Sequence, residues 1–371
     1  MVESAEVRDR IALLRFVMIF GVVVLHTPEY VPVTEIGHGW FDLFKAFFQN
    51  ALFRATVPVL TFLSGYLLFR SGLDQQPAKL ARKKTASLLV PFLCFNLPLL
   101  CLAYVAETIF GLRLSYDLRT HDLLTWLDAA FGLTHSPINY PLNFLRDMIV
   151  LMCLAPLFGL LIRRAPYSGL AAISVLFMTN LDGPLILREV MPLTFYVGGM
   201  AAVHKWNICK LDRFAVPLGG ALVMLCVAIV YFRIANTTFL RIVSPVLIWP
   251  AASLLTRTRF GAWCARMQRH SFLLFSAHAP ILLGLWLVFK ALGRPGYYAV
   301  FWTLAPVLVT FCIVQLHGIG LRLAPNLFPL LLGGRSSVTG RRKAPSVRDP
   351  EPAQRCINDT AHDSPTEKLV Y

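Results

Sequence analysis

Long apolar runs, each bounded by charges or by Pro and Gly, recur along almost the whole chain. They predict membrane helices near residues 11–28, 46–69, 85–110, 142–162, 166–181, 189–204, 214–232, 238–256, 271–290 and 297–319. A bilayer-spanning helix takes about 20 consecutive apolar residues, and most of these runs reach that length. The fifth and sixth are shorter and are separated only by the turn signal Asp182-Gly183-Pro184, so a single re-entrant hairpin is an alternative reading for them. The fold class expected is all-α: a polytopic membrane protein of about ten transmembrane helices.

Loop charges test that layout independently of hydropathy. With the N-terminus in the cytoplasm, 24 of the 35 Lys and Arg residues fall in inner loops and tails, against seven in outer loops. The positive-inside rule expects this asymmetry, and both termini are then cytoplasmic. The chain divides into a short N-terminus, 1–10, a transmembrane domain, 11–332, and a tail, 333–371. The tail is rich in Gly, Ser, Pro and charge without an apolar period, which predicts disorder. The stretch 111–140 is the longest connection before the tail and mixes Asp117, Asp122, Asp128, Trp126, His121 and His135. It suits an interfacial helix, an acceptor-binding lid or an ordinary surface loop.

Composition sharpens the membrane reading. The chain has 371 residues, 56% hydrophobic and 15% charged, whereas soluble domains are about 45–50% apolar and about 25% charged. The net charge of +15 comes from clusters between apolar runs, which argues for topology and against a nucleic-acid partner. Eight cysteines show no metal-binding spacing. The first apolar run carries Arg15 and His26 and is followed by no small-residue cleavage site, so it reads as a retained helix.

Ionisable residues inside spans are expensive unless paired or wetted, and they mark function by default. Here they are Arg15 and His26 in the first span, Arg54 in the second, Glu107, Arg146 and Asp147 in the third and fourth, Arg241 in the eighth and His278 in the ninth. Eleven helical steps bring Arg15 and His26 onto one face, about 16 Å apart along the axis. That separation matches the reach of a pantetheine arm, so a guanidinium holding a phosphate could leave a thioester beside His26. A snorkelling arginine and a hydrogen-bonded interfacial histidine fit the same spacing. Arg146 and Asp147 project about 100° apart and are expected to reach neighbouring spans, not each other.

Four stretches resemble the membrane-bound acyltransferase-3 family, whose members O-acylate bacterial surface glycans. They are RIALLRFVMIFGVVVLH at 10–26, VPVLTFLSGYLLF at 57–69, NFLRDMIVL at 143–151 and SFLLFSAHAP at 271–280. They occur in the family's order with its ten-span layout. Asn143 stands where the family usually has Trp, and the basic segment ARKKTASLLVPF lacks the usual pair of arginines three apart.

The resemblance implies an inner-membrane enzyme that takes an acyl group, acetyl or succinyl, from acyl-CoA (acetyl-CoA or succinyl-CoA) and places it on a glycan or lipid-linked oligosaccharide hydroxyl, without a metal. It resembles most the branch that modifies exopolysaccharides such as succinoglycan. It implies His26 as base or acyl carrier with Arg15 beside it in catalysis, and Arg15, Lys84 and Arg146 as holders of the acyl-CoA. Ser64, Tyr66, Asp147 and His278 are implied as substrate-binding or supporting residues. A polytopic transporter or flippase for a glycan intermediate is the competing reading, because intramembrane Arg and His also line transport paths. Such proteins usually show two related halves, and none is visible here. A structural subunit of an export complex is a third reading, and would not need His26.

Overall fold

The structure is a computed structural model that describes residues 5–111, 116–120, 122–179, 181, 183–188 and 190–334. Asp182, His121 and the expected tail from residue 335 onward lie outside the described residues. Among those described there is no strand. The helices are α1 (Ala5–His26), α2 (Trp40–Ala46), α3 (Thr56–Arg70), α4 (Pro77–Lys84), α5 (Val90–Phe110) and α6 (Leu123–Phe131). Next come α7 (Asn143–Arg164), α8 (Pro166–Thr179), α9 (Val190–Val203), α10 (Ala215–Tyr231) and α11 (Thr238–Ala251). The last are α12 (Ser253–Thr256), α13 (Arg259–Met267), α14 (Ser271–Ala291), α15 (Tyr298–Leu323) and α16 (Leu327–Leu331).

Seven continuous helical stretches are long and apolar enough to cross a membrane: Trp40–Arg70, Pro77–Ile109, Tyr140–Arg164, Ile208–Tyr231, Thr238–Thr256, Arg259–Ala291 and Pro295–Leu323. They correspond to seven of the ten expected runs. The other three expected runs also form helices. Of these, α1 has the length but carries Arg8, Asp9, Arg10 and Arg15. The other two, α8 and α9, have 14 residues each, about 21 Å at 1.5 Å per residue, short of a hydrocarbon core of about 30 Å. On their outer faces α5, α8, α10, α14 and α15 expose large apolar side chains, among them Ile109, Met178, Met224, Leu287 and Phe311. Faces of that kind are stable only against lipid or another apolar surface.

Helix α1 carries apolar residues around much of its circumference and is packed accordingly: Ile11, Leu13, Leu14, Phe16, Val22 and Val23 are all buried, between α3, α13 and α14. Its first turns are held by Arg10, expected as a loop charge but fully buried. Arg10 Nη1 and Nη2 donate to Asp212 Oδ1 and Oδ2 at 2.7 and 2.8 Å, and the guanidinium lies 4.9 Å over the Trp249 ring. A forked pair of this kind neutralises the buried charge.

The most extensive helix contact joins α3 to α9, and two glycines allow it. A Cβ at Gly65 would lie 2.2 Å from the Phe195 carbonyl oxygen, and one at Gly198 would lie 2.2 Å from the Phe62 carbonyl oxygen. The backbones therefore touch, as small residues permit in membrane helix pairs. This is the structural content of the Ser64-Gly65-Tyr66 motif, and it lets the short α9 be buried by protein instead of lipid.

Gly65→Ala is expected to force α3 and α9 apart and destabilise the protein by about 1–3 kcal/mol, the usual range for overpacking. Gly220→Ala on α10, where a Cβ meets nothing within 4 Å, is expected to be neutral or slightly stabilising. Thermal unfolding of both variants in detergent, read by intrinsic fluorescence, checks the contrast.

Candidate active site

The last residue of α1 is His26, half-buried at the end of the helix. Helix C-termini leave carbonyls without partners, and here a break in the next helical stretch supplies them. Between α2 and α3 the chain passes through a π segment, Phe47–Ala51, and a 3-10 turn, Leu52–Ala55. The break turns two amides toward α1. Gln49 Nε2 donates to the Leu25 and Thr27 carbonyls at 3.1 and 2.9 Å, and Asn50 Nδ2 donates to the Val31 carbonyl at 2.9 Å.

Behind His26 stands His278 of α14, fully buried. His278 Nδ1 lies 3.0 and 2.8 Å from the carbonyl oxygens of Leu274 and Phe275. Carbonyls only accept, so Nδ1 carries the proton. In the neutral ring, Nε2 is then the acceptor. That Nε2 lies 3.0 Å from His26 Nδ1. His26 therefore donates through Nδ1–H, and its Nε2 keeps a lone pair. The two rings are 5.2 Å apart between centroids, and Tyr140 meets His26 edge-on at 5.7 Å.

A cavity of about 470 Å³ opens beside His26, within the usual size of small-molecule sites. Its polar lining consists of His26, Thr27, Tyr30, Arg54, Tyr140 and Arg188. The remainder is apolar: Val22, Leu25, Pro28, Val57, Leu60, Pro141, Phe144 and Phe275. Arg54 comes from the 3-10 turn and lies 5.1 Å over the Tyr30 ring; Arg188 lies 5.8 Å over the Tyr140 ring.

A buried polar frame fixes these walls. Five N–H groups of Arg146 meet five acceptors: Nε the Gly132 carbonyl at 2.7 Å, Nη1 the Leu185 carbonyl and Asp147 Oδ1, and Nη2 the Leu133 and Pro184 carbonyls, each at 2.8 Å. Asp147 in turn accepts from the backbone N–H groups of Leu187 at 3.2 Å and Arg188 at 3.0 Å. The segment that carries Tyr140 is held similarly. Asn96 bonds the Ala129 and Ala130 carbonyls at the end of α6 and accepts from the Asn139 N–H at 2.9 Å, while Asn139 Nδ2 reaches the carbonyls of Phe95 and Ser276. Outside the spans, burial acts to raise the Asp128 carboxyl, but hydrogen bonds from Thr134 and His135 outweigh it and hold it down at about 2. Helix α6 and the turn that follows it, 122–140, thus pack on α5.

Two sequence expectations change here. Arg146 and Asp147 do bond to each other, at 3.0 Å, because a long guanidinium can fold back over its neighbour while serving four carbonyls. With all five N–H groups engaged, Arg146 has none left for the phosphate contact expected of it. It is a clamp on the walls of the site. The other expected residues separate. His26 lines the cavity, and His278 stands directly behind it. Arg15, Lys84, Ser64 and Tyr66 are not part of its lining. Arg15 is half-buried on α1, and Lys84 closes the basic helix α4. Ser64 Oγ donates to its own helix at the Leu60 carbonyl, 2.7 Å away, and the buried Tyr66 hydroxyl accepts from Arg70. Gln49, Asn96, Asn139, Tyr140 and Arg188 were not singled out from the sequence. Only Arg54 carried a signal there, as a charge inside an apolar run.

A histidine with one nitrogen engaged as a donor, lining a mostly apolar cavity within a helical membrane domain, has the geometry of a proton acceptor or a nucleophile. The profile of the acyltransferase-3 family, described as an acyltransferase domain, matches residues 8–316. The chain belongs to that family and is an acyltransferase. It is also similar to the succinoglycan biosynthesis protein ExoH of Rhizobium meliloti (strain 1021), with 33% identity over 368 residues, 95% of this chain and 98% of that protein. No solved structure gives a significant match.

Asp147→Ala removes the acceptor of two backbone N–H groups and leaves Arg146 short of a buried counter-charge. We expect a loss of about 3–5 kcal/mol, the range for breaking a buried pair from one side. The midpoint of thermal unfolding of the full chain in detergent measures it. A loss under about 1 kcal/mol would mean that the clamp does not hold the loop.

Proposed function

We propose that the protein is a multi-pass O-acyltransferase of the bacterial inner membrane that moves an acetyl or succinyl group from acyl-CoA to a hydroxyl of a cell-surface polysaccharide or its lipid-linked precursor. The observation that carries the reading is the contact between His26, at the cavity wall, and His278 behind it, 3.0 Å away. The name of the relative supports a polysaccharide acceptor, and the excess of basic residues in alternate loops supports cytoplasmic termini.

A sugar hydroxyl is a weak nucleophile at neutral pH, and a positioned histidine base is the common remedy. In this reading His26 Nε2 takes the hydroxyl proton while the oxygen attacks the thioester carbonyl. The tetrahedral adduct then collapses to the ester, and the departing CoA thiolate takes the proton back from Nε2. The same lone pair would serve an acyl-histidine relay. His278 acts through His26: it keeps Nδ1 occupied as a donor, so that Nε2 is the free nitrogen, and it accepts the hydrogen bond of the transient imidazolium. Arg15, on the same helix, and Lys84 are assigned to the acyl-CoA phosphates.

Mass spectrometry of surface polysaccharide from cells lacking the gene, complemented with wild type or variants, tests the proposal. Loss of an ester-linked acyl group that wild type restores and His26→Ala does not is the expected result. His278→Ala is expected to lower kcat by about 10²–10⁴ with little change in KM. A normally acylated glycan that fails to reach the surface would favour transport instead.

A further inference from the structure

The two arginines in the cavity lining are unusual in what they lack. Arg54 and Arg188 come from elements 134 positions apart in sequence, and both face the space beside His26. Each guanidinium lies over an aromatic face, Arg54 over Tyr30 and Arg188 over Tyr140. Among the described residues, no carboxylate lines the cavity. Asp147, beside the Arg188 loop, is already engaged by Arg146 and two backbone N–H groups. Arg188 Nε is buried and has no acceptor.

Two cations converging on a largely apolar cavity repel each other, and each loses hydration there. The arrangement is stable with an anion between them. It is also built with care: Gln49 and Asn50 hold the break that presents Arg54, and the Arg146–Asp147 clamp fixes the backbone of Arg188. A guanidinium fork matches the two oxygens of a carboxylate. The apolar walls, Val22, Leu25 and Phe144 among them, suit a short carbon chain.

We infer that Arg54 and Arg188 form a carboxylate-binding subsite next to His26, so that one of the two transfer partners is acidic. The inference rests on the acyl-transfer reading for what the ligand does, but not for whether it binds. Two sources offer the same chemistry: the free carboxylate of a dicarboxylic acyl donor, and an acidic substituent on the glycan acceptor.

A binding measurement decides the subsite without any turnover. The full chain in detergent is heated with succinate or with succinamide, its uncharged counterpart of similar size. Succinate is expected to raise the unfolding midpoint of wild type, succinamide is not, and the shift is expected to vanish in Arg54→Gln and Arg188→Gln. Equal shifts from both probes, or a succinate shift that survives in both variants, would overturn the inference. Arg54→Lys and Arg188→Lys, which keep the charge but lose the fork, replace any Gln variant that does not fold, and a weakened shift is expected of them.

Transfer then assigns the source. With succinyl-CoA and the equally long butyryl-CoA as donors, the Gln variants are expected to lower the succinyl-to-butyryl ratio of kcat/KM by about tenfold or more if the donor carries the carboxylate. If the acceptor carries it, both donors fall together, and the loss disappears with a glycan stripped of acidic groups. Absence of any transfer by wild type would sink the acyltransferase reading and leave the binding result standing by itself.

Discussion

A neutral imidazole offers one lone pair, and which nitrogen keeps it depends on what the other nitrogen touches. In this protein that choice is made two residues deep. Carbonyls of Leu274 and Phe275 accept the hydrogen bond of His278 Nδ1–H, His278 Nε2 accepts that of His26 Nδ1–H, and His26 Nε2 keeps the lone pair. The ring that links those carbonyls to His26 is fully buried. A carboxylate in its place would hold His26 more strongly. A neutral histidine sets the direction without adding a buried charge.

Much of the architecture serves to keep that contact in place. Helix α1 ends at His26 because the break at Phe47–Ala55 turns Gln49 onto its last carbonyls, and its other end is fastened by Arg10 to Asp212. Asn139 bonds the Ser276 carbonyl on α14, two residues before His278, and precedes Tyr140, which meets the His26 ring. The cavity walls and the histidine pair are thus parts of one hydrogen-bonded frame, assembled from segments far apart in sequence.

The helices were legible in the sequence because lipid-facing and buried surfaces are both apolar, so hydropathy marks each run. What each helix does was not equally legible. Helices α8 and α9 read as two short spans or a single re-entrant hairpin, and as described they have 14 residues each; the reason α9 can be buried lies in backbone contact at Gly65 and Gly198, which hydropathy does not register. Arg10 read as a loop charge because its partner, Asp212, is 202 residues away. Arg146 and Asp147 read as separate reaches across the bundle, since helix geometry places their Cβ atoms apart and says nothing of how a guanidinium folds. His26 and His278 were visible as costly residues in apolar runs, and the family motif tied them to chemistry. Arg188, Asn96 and Asn139 sit in loops or among ordinary residues, where single polar positions carry no signal until the fold brings them together.

The claim on which this account turns is that His26 presents an unprotonated Nε2. Nitrogen-15 magnetic resonance of the full chain, labelled at histidine, reconstituted in lipid nanodiscs and assigned by comparison with His26→Gln and His278→Gln, reads the protonation of each ring nitrogen directly. The account expects His26 and His278 both to be neutral with the proton on Nδ1, and the His26 signal to change its tautomer balance when His278 is replaced. A His26 ring protonated at Nε2 in the wild type, or one indifferent to the loss of His278, would contradict it.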